Sequence, residues 1–358
     1  MRVLMLNYEF PPIGGGAGNA NYYLLREFAG QKDITIDLIT SCMGPDTTEK
    51  FADNITIHYL DVGKKALHFW KMTEILRWTC RAERLSKRLI KRHHYDICHC
   101  WFGWPSGVIG YLNRKKVPYI VALRGSDVPG YSKRLALADT FLFRPLSKVV
   151  WKHAKAVVAN STHLAELAKE TYPGRIDVIP NGVDTRQFRP RRHPFRHRVL
   201  SVGRLIPRKG FDILIHALTG TKYSLTIVGD GPERKNLATL AKKCEVPLTI
   251  TGAVSHDEMP RYYQSHDIFA LASKNEGMSN AVLEAMACGM PIVMTDVGGA
   301  EELVNMNGQL VCQDAGYIRE ALKNLSICPA GRTSRRRALN MNWRSVASQN
   351  ENIWRIHA

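Results

Sequence analysis

Short apolar runs rich in Val and Ile recur along the chain, with amphipathic stretches between most of them. Runs at 3–6, 35–39, 55–60, 97–100, 119–123, 156–159 and 177–179 read as strands. Helical spacing between them predicts an α/β fold with a mainly parallel, doubly wound sheet. A second set of strands is expected around Val199, Leu225, Leu248, Ile268 and Ile292. Between the sets, RPRRHPFRH at 189–197 is polar, basic and broken by proline, and reads as a linker. The pattern therefore divides the chain into domains at 1–190 and 198–340, followed by a helical segment at 341–358. No short repeat relates the two halves.

One late segment, EGMSNAVLEAMACGMPIV at 276–293, departs from plain packing. Met278, Ser279 and Asn280 stand where a loop turns into a helix, and Ser and Asn are good N-caps. Val282, Leu283, Ala285 and Met286 give that helix a buried face, Gly289 and Pro291 stop it, and Ile292 starts a strand. A helix entered through small residues offers backbone N–H groups and a positive dipole end to an anion such as phosphate. Glu276 and Glu284 flank this feature. Carboxylates repel phosphate, so they suit hydroxyl groups, and phosphate beside hydroxyls suggests a nucleotide sugar.

Cations for a diphosphate lie upstream, in the loop that follows the strand near Val199. Gly203 opens it, and Arg204 and Lys209 follow before a helix near Phe211. Arg holds phosphate oxygens in a fork and Lys adds a point charge. By itself this loop reads as an exposed basic turn; its pairing with the Glu276 segment makes it a phosphate site. There is no D-x-D sequence, so neither a metal held by that motif nor a cofactor is expected.

GRLIPRKGFD, IVGDGPER and the Glu276 segment resemble the retaining glycosyltransferases of family four. NSTHLAELA at 160–168, PNGVDTRQF at 180–188, GSDV at 125–128 and GGGAG at 14–18 extend the resemblance over almost the whole chain, in order. It implies a GT-B fold, two Rossmann-like doubly wound domains facing a central cleft. The N-terminal domain would serve the acceptor and the C-terminal domain the donor, with the last helix crossing back to the first. It also implies Glu284 on the donor's ribose, Glu276 on the sugar hydroxyls, and backbone N–H groups of Gly277, Met278, Ser279 and Asn280 on the phosphates. Arg204 and Lys209 would stabilise the leaving diphosphate in place of a metal. Gly16 would lie near donor phosphates and acceptor, since a backbone without a side chain can approach a ligand closely. GGGAG lacks G-x-G-x-x-G spacing, which speaks against a dinucleotide enzyme.

Two positions depart from the family. Arg124, Gly125, Ser126 and Asp127 stand where many members have H-G-x-D, and His99, Cys100, Trp101 where many have H-x-H. Asp127 and Arg124 either pair structurally or reach the substrates. His99, in an apolar strand, is either a core residue or a catalytic one.

The N-terminal apolar run is too short for a signal peptide and reads as a strand. No stretch approaches the roughly 20 apolar residues of a membrane span. Eight scattered cysteines lack zinc spacing. Cys98, Cys288 and Cys312 read as reduced core residues, and the compartment as cytoplasm.

Net charge is +18 and pI ≈ 9.6, which implies an anionic partner besides the donor. Basic residues concentrate at 64–92, from Lys64, Lys65 and Lys71 to Arg92. Ile75, Trp78, Ala82, Leu85 and Leu89 form an apolar stripe there at helical spacing. This is either a domain helix with a solvated basic face or, with Phe69 and Trp70 as anchors, contact with an anionic membrane on its inner face. No nucleic-acid motif is present.

The expected activity is transfer of a sugar from a nucleotide diphosphate to a hydroxyl on a glycan or lipid-linked acceptor, as in bacterial surface-polysaccharide or glycolipid synthesis. The alternatives are a GT-B sugar-nucleotide epimerase and a nonenzymatic binder of anionic polymers.

Overall fold

The apolar runs fold as strands covered on both faces, which is why they lack the alternation of a half-exposed sheet. The computed structural model describes residues 1–67, 69–131, 139–325 and 330–358. Met1–Asn181 with Trp343–Ala358 form one unit, and Gly182–Asn342 form a second.

The sheet of the first unit runs β3-β4-β2-β1-β5-β6-β7-β8. Its strands are β1 (Arg2–Leu6), β2 (Thr35–Cys42), β3 (Thr47–Ala52), β4 (Ile55–Asp61), β5 (Ile97–Trp101), β6 (Tyr119–Leu123), β7 (Ala156–Ala159) and β8 (Asp177–Val178). All neighbours pair in parallel except β3, which turns back on β4. The sequence pattern misses β3 because it is an exposed edge strand, TTEKFA, with no buried face. Asp37 anchors the sheet's polar end. It accepts Arg2 Nη2–H at 2.9 Å and Tyr95 O–H at 2.7 Å, and His58 Nε2 lies 3.4 Å away.

The helix Trp343–His357 packs against Gly16–Phe28 within this unit. Trp343 stacks on Tyr23 with centroids 5.9 Å apart, and Trp354 meets Phe28 at 4.7 Å.

The second unit is a six-stranded parallel sheet ordered β11-β10-β9-β12-β13-β14. Its strands are β9 (Arg198–Val202), β10 (Ser224–Val228), β11 (Leu248–Ile250), β12 (Ile268–Leu271), β13 (Ile292–Thr295) and β14 (Gly308–Val311). The half-buried edge strand β14 is the other element the pattern missed.

The division between the units falls at Asn181/Gly182, ahead of the expected 189–197 linker. Residues 182–197 are bound into the second unit instead. Phe188 is buried in its core, Arg335 donates to the carbonyls of Thr185 and Phe188, and Asp267 accepts the N–H groups of Arg196 and Arg198. Basic residues made this stretch look loose; one aromatic and one buried carboxylate fix it.

Candidate active site

In the second sheet β9 is the turning point: β10 and β11 extend to one side, β12 to β14 to the other. Loops leaving β9 and β12 therefore part at their carboxyl ends, the place where open α/β sheets bind ligands. The β9 loop carries Gly203, Arg204, Arg208 and Lys209 before the helix Phe211–Leu218; the β12 loop carries Ser273 and Glu276 before Asn280–Ala287.

The two loops are tied together. Lys274 N–H donates to Arg208 O at 2.8 Å, and Arg208 Nη1 to Asn275 O at 2.8 Å. Gly210 turns the first loop into its helix at φ +63°, and a Cβ there would lie 2.0 Å from Ala272 O. Gly298, after β13, has φ +57°, and its Cβ would lie 1.7 Å from Glu276 O. Neither position accepts a side chain, because the loops touch backbone to backbone.

Within this block Lys209 Nζ donates to Glu276 Oε1 at 2.5 Å, and Ser273 Oγ donates to the same oxygen at 2.6 Å. Glu276 is 7% exposed. Burial alone would raise its pKa; Lys209, the Ser273 hydroxyl and Arg208 outweigh it, so the carboxyl sits below the ordinary glutamate value. Arg204 is exposed on the same loop.

Ser279 is the N-cap of Asn280–Ala287, but its side chain makes no capping hydrogen bond. The first-turn amides are thus not closed off by that hydroxyl. Met278 and Ser279 are buried, Gly277 and Asn280 half-buried. Val282, Leu283, Ala285 and Met286 face the core, and Gly289 at φ +75° follows the helix.

Glu284 has two partners that the sequence did not reveal. His256 Nε2 lies 2.9 Å from Oε1, and Tyr263 O–H donates to Oε2 at 2.7 Å. Both follow β11, and no spacing within SHDEMPRYY advertises that they converge on a helix further along the chain.

In the first unit, the Gly14–Gly18 loop follows β1, next to β5, where that sheet also changes direction. Gly15 and Gly16 are exposed at the start of the helix Gly16–Phe28, whose first turn has no acidic residue. Gly14 N–H donates to Leu67 O at 2.9 Å, which joins this loop to the one after β4.

Asp127 is built into backbone. Its Oδ1 accepts the N–H groups of Arg124 and Gly125, and its Oδ2 that of Gly103 at 2.7 Å, linking the loops after β5 and β6. Burial raises its pKa against those hydrogen bonds. The Arg124 guanidinium carbon sits over Trp101, 3.6 Å from the ring centroid, and Nη1 donates to Asn181 Oδ1 at 3.2 Å.

His99 is packed as a core residue. It is 1% exposed, and its Nδ1 accepts Trp354 Nε1–H at 3.2 Å. Burial, then Arg124, push its pKa down to about 3, so the ring is neutral.

The basic segment also needs correction. The helix begins at Met72, with Ile75, Trp78, Ala82 and Leu89 buried as the stripe predicts. Lys64 is not part of the surface: it is 6% exposed, its Nζ donates to Phe69 O at 2.6 Å and lies 3.6 Å from Glu74. Trp70 stacks under that ammonium at 3.7 Å and packs on Tyr8, so it is not a free anchor. Lys65, Lys71, Arg84 and Arg88 are exposed, beside Leu67, Phe69, Met72 and Leu76. Cys312 is exposed as well, unlike buried Cys98 and Cys288. Among the described residues no helix is long and apolar enough to cross a membrane.

Known proteins share this fold. The model described as Glycosyltransferase Family 4 matches residues 14–187, and that described as Glycosyl transferases group 1 matches 196–326. The chain is 32% identical over 332 residues to the GDP-mannose-dependent alpha-(1-6)-phosphatidylinositol monomannoside mannosyltransferase of Mycolicibacterium smegmatis, covering 84% of this chain and 82% of that one. Sucrose-phosphate synthase from Thermosynechococcus elongatus superposes with a TM-score of 0.86 at 21% identity, over 99% of this chain and 98% of its own. Anabaena HepE in complex with UDP and glucose gives 0.75 at 19% identity, over 98% of each. These structures share the GT-B fold. With its two family domains in order and a relative similar over most of its length, the chain belongs to the family 4, group 1 glycosyltransferases, enzymes that transfer sugars.

Proposed function

We propose that the protein is a retaining glycosyltransferase whose second unit binds a nucleotide diphosphate sugar, and that it moves a hexose-type sugar to a hydroxyl acceptor. The observation that carries this reading is the Lys209–Glu276 pair at the strand ends, 2.5 Å apart and next to an N-terminal helix turn. A cation for phosphate and a carboxylate for hydroxyls are held together, as a sugar linked to a diphosphate requires. HepE, a structural neighbour, holds UDP and glucose.

In the mechanism we propose, the diphosphate takes Lys209 and Arg204, and the first-turn amides at 277–280 bind phosphate oxygens. Glu276, released from the lysine, accepts hydroxyls of the sugar, while Glu284 accepts those of the ribose. As the glycosidic bond lengthens, negative charge grows on the leaving phosphate, and the two cations stabilise it more than they stabilise the ground state. The acceptor hydroxyl attacks from the same face and gives its proton to that phosphate, which preserves the anomeric configuration. No metal takes part in this scheme. Asp127 acts by holding the first unit's loops after β5 and β6 in place.

For the acceptor we propose a lipid-linked or other membrane-surface glycan, met at the inner face of an anionic membrane. The exposed basic and apolar residues of 65–88 support this, as does the mannosyltransferase relative, whose name gives it a phosphatidylinositol monomannoside substrate.

The test is donor-dependent release of nucleoside diphosphate from a panel of UDP-, GDP- and ADP-sugars, with and without a chelator. Release from at least one donor is expected, and Arg204→Ala should slow it about 10²–10³-fold. Absence of release from every donor would sink the donor reading. Loss on chelation that magnesium or manganese restores would sink the metal-free scheme.

A further inference from the structure

Glu284 is gripped at both oxygens by groups with little freedom of their own. Tyr263 is 1% exposed, with Phe188 5.7 Å and Phe269 6.0 Å from its ring centre. His256 meets the edge of Phe188 at 5.2 Å, and its carbonyl accepts Gln187 Nε2–H at 3.3 Å. Both belong to the stretch after β11, which Gly252 joins to Gly229 at the end of β10. The grip therefore stands on the same rim of strand ends as Lys209 and Glu276.

A carboxylate has about four lone-pair directions. His256 and Tyr263 take one on each oxygen, which leaves one on each for a ligand. Two neighbouring hydroxyls, such as the 2′ and 3′ groups of a ribose, match that pair. A glutamate on an ungripped helix turn would swing among rotamers and have to be ordered by the ligand.

We infer that His256 and Tyr263 are positioning residues that set the Glu284 carboxylate to recognise the ribose of the donor. This rests on the reading of Glu284 as the ribose ligand. The acidic groups facing His256 are Glu284, Asp257 and Asp184; burial opposes its charge, but together they raise its pKa and favour an imidazolium donor.

The experiment measures, by calorimetry, binding of UDP, GDP and ADP, then compares the tightest with its 2′-deoxy form. The wild type should prefer the ribonucleotide by about tenfold, since a hydroxyl bonded to a charged group is lost. Tyr263→Phe and His256→Leu should cut that preference to within about threefold while binding the deoxy form as the wild type does. His256→Gln, which keeps a donor, should restore it. Equal weakening towards both nucleotides would show an ordinary packing role and overturn the inference. So would full preference in both variants while Glu284→Gln has lost it. If Glu284→Gln itself keeps the preference, the ribose reading fails first and takes the inference with it.

Discussion

Lys209→Ala separates the stability of the second unit from its chemistry. Without the ammonium, the Glu276 carboxylate keeps the Ser273 hydroxyl at 2.6 Å and loses its closest charge. Removing one partner of a buried pair costs about 3–5 kcal/mol; the side chains here are 14% and 9% exposed, so the lower figure applies. For a unit of this size that corresponds to a fall in Tm of about 6–12 °C.

The pH dependence has a definite sign. In the wild type the folded pKa of Glu276 is lowered from 4.5, so the pairing stabilises the fold above that value and is lost as pH falls through the lowered one. In the variant the lysine's lowering effect is gone and burial pushes the carboxyl up. The charged form then destabilises the fold at neutral pH, and protonation in acid relieves it. The Tm gap between variant and wild type should thus be widest near neutrality, narrow as pH falls towards about 4.5, and close only once pH has passed below the lowered wild-type value. Lys209→Ala/Glu276→Gln should regain most of the stability and none of the turnover, which the lost cation lowers about 10²–10³-fold. The reasoning fails if Lys209→Ala melts with the wild type at neutral pH, or if its deficit is the same at every pH.

Two other expectations follow from the first unit. Burial raises the pKa of Asp37, yet hydrogen bonds from His58, Tyr95 and Arg2 bring it to about 2; Asp37→Asn should cost about 2 kcal/mol in urea unfolding at neutral pH, a penalty that fades as pH drops from about 4 towards 2. Replacing exposed Lys65, Lys71 and Arg84 with Glu should weaken sedimentation with phosphatidylserine vesicles by more than about 100-fold at low salt. Lys64 is left out because a second carboxylate beside buried Glu74 would disturb the fold. A wild type that ignores such vesicles at low salt would end the membrane proposal and leave the transferase untouched.

The strands were legible because parallel strands buried on both faces are continuous apolar runs; β6 and β7 coincide with theirs. Thr47–Ala52 carries no such signal, being polar and exposed. Glu276 and Lys209 were readable as residue types near a helix start and a basic loop. Their contact was not, since 67 positions separate them and only the sheet order brings them together. Residue type misled at Lys64 and Trp70: a lysine in a basic run reads as surface, whereas Glu74 and the indole ring hold this one inside. For His99, the apolar strand allowed two readings, and its hydrogen-bond partner, Trp354, lies far away in sequence.

The return of Trp343–His357 to the first unit bears on how a ribosome delivers this protein. Residues 182–342 are contiguous and can finish folding while the chain is still growing. The first unit emerges earlier yet lacks the helix Trp343–His357 until those residues have been made. Through that interval Phe28, Tyr23 and His99 wait for Trp354 and Trp343, leaving an aromatic seam open to chaperones. The amino-terminal unit is begun first and waits for residues 343–357, so a nascent chain stalled short of residue 343 should carry a folded second unit and an unfinished first one.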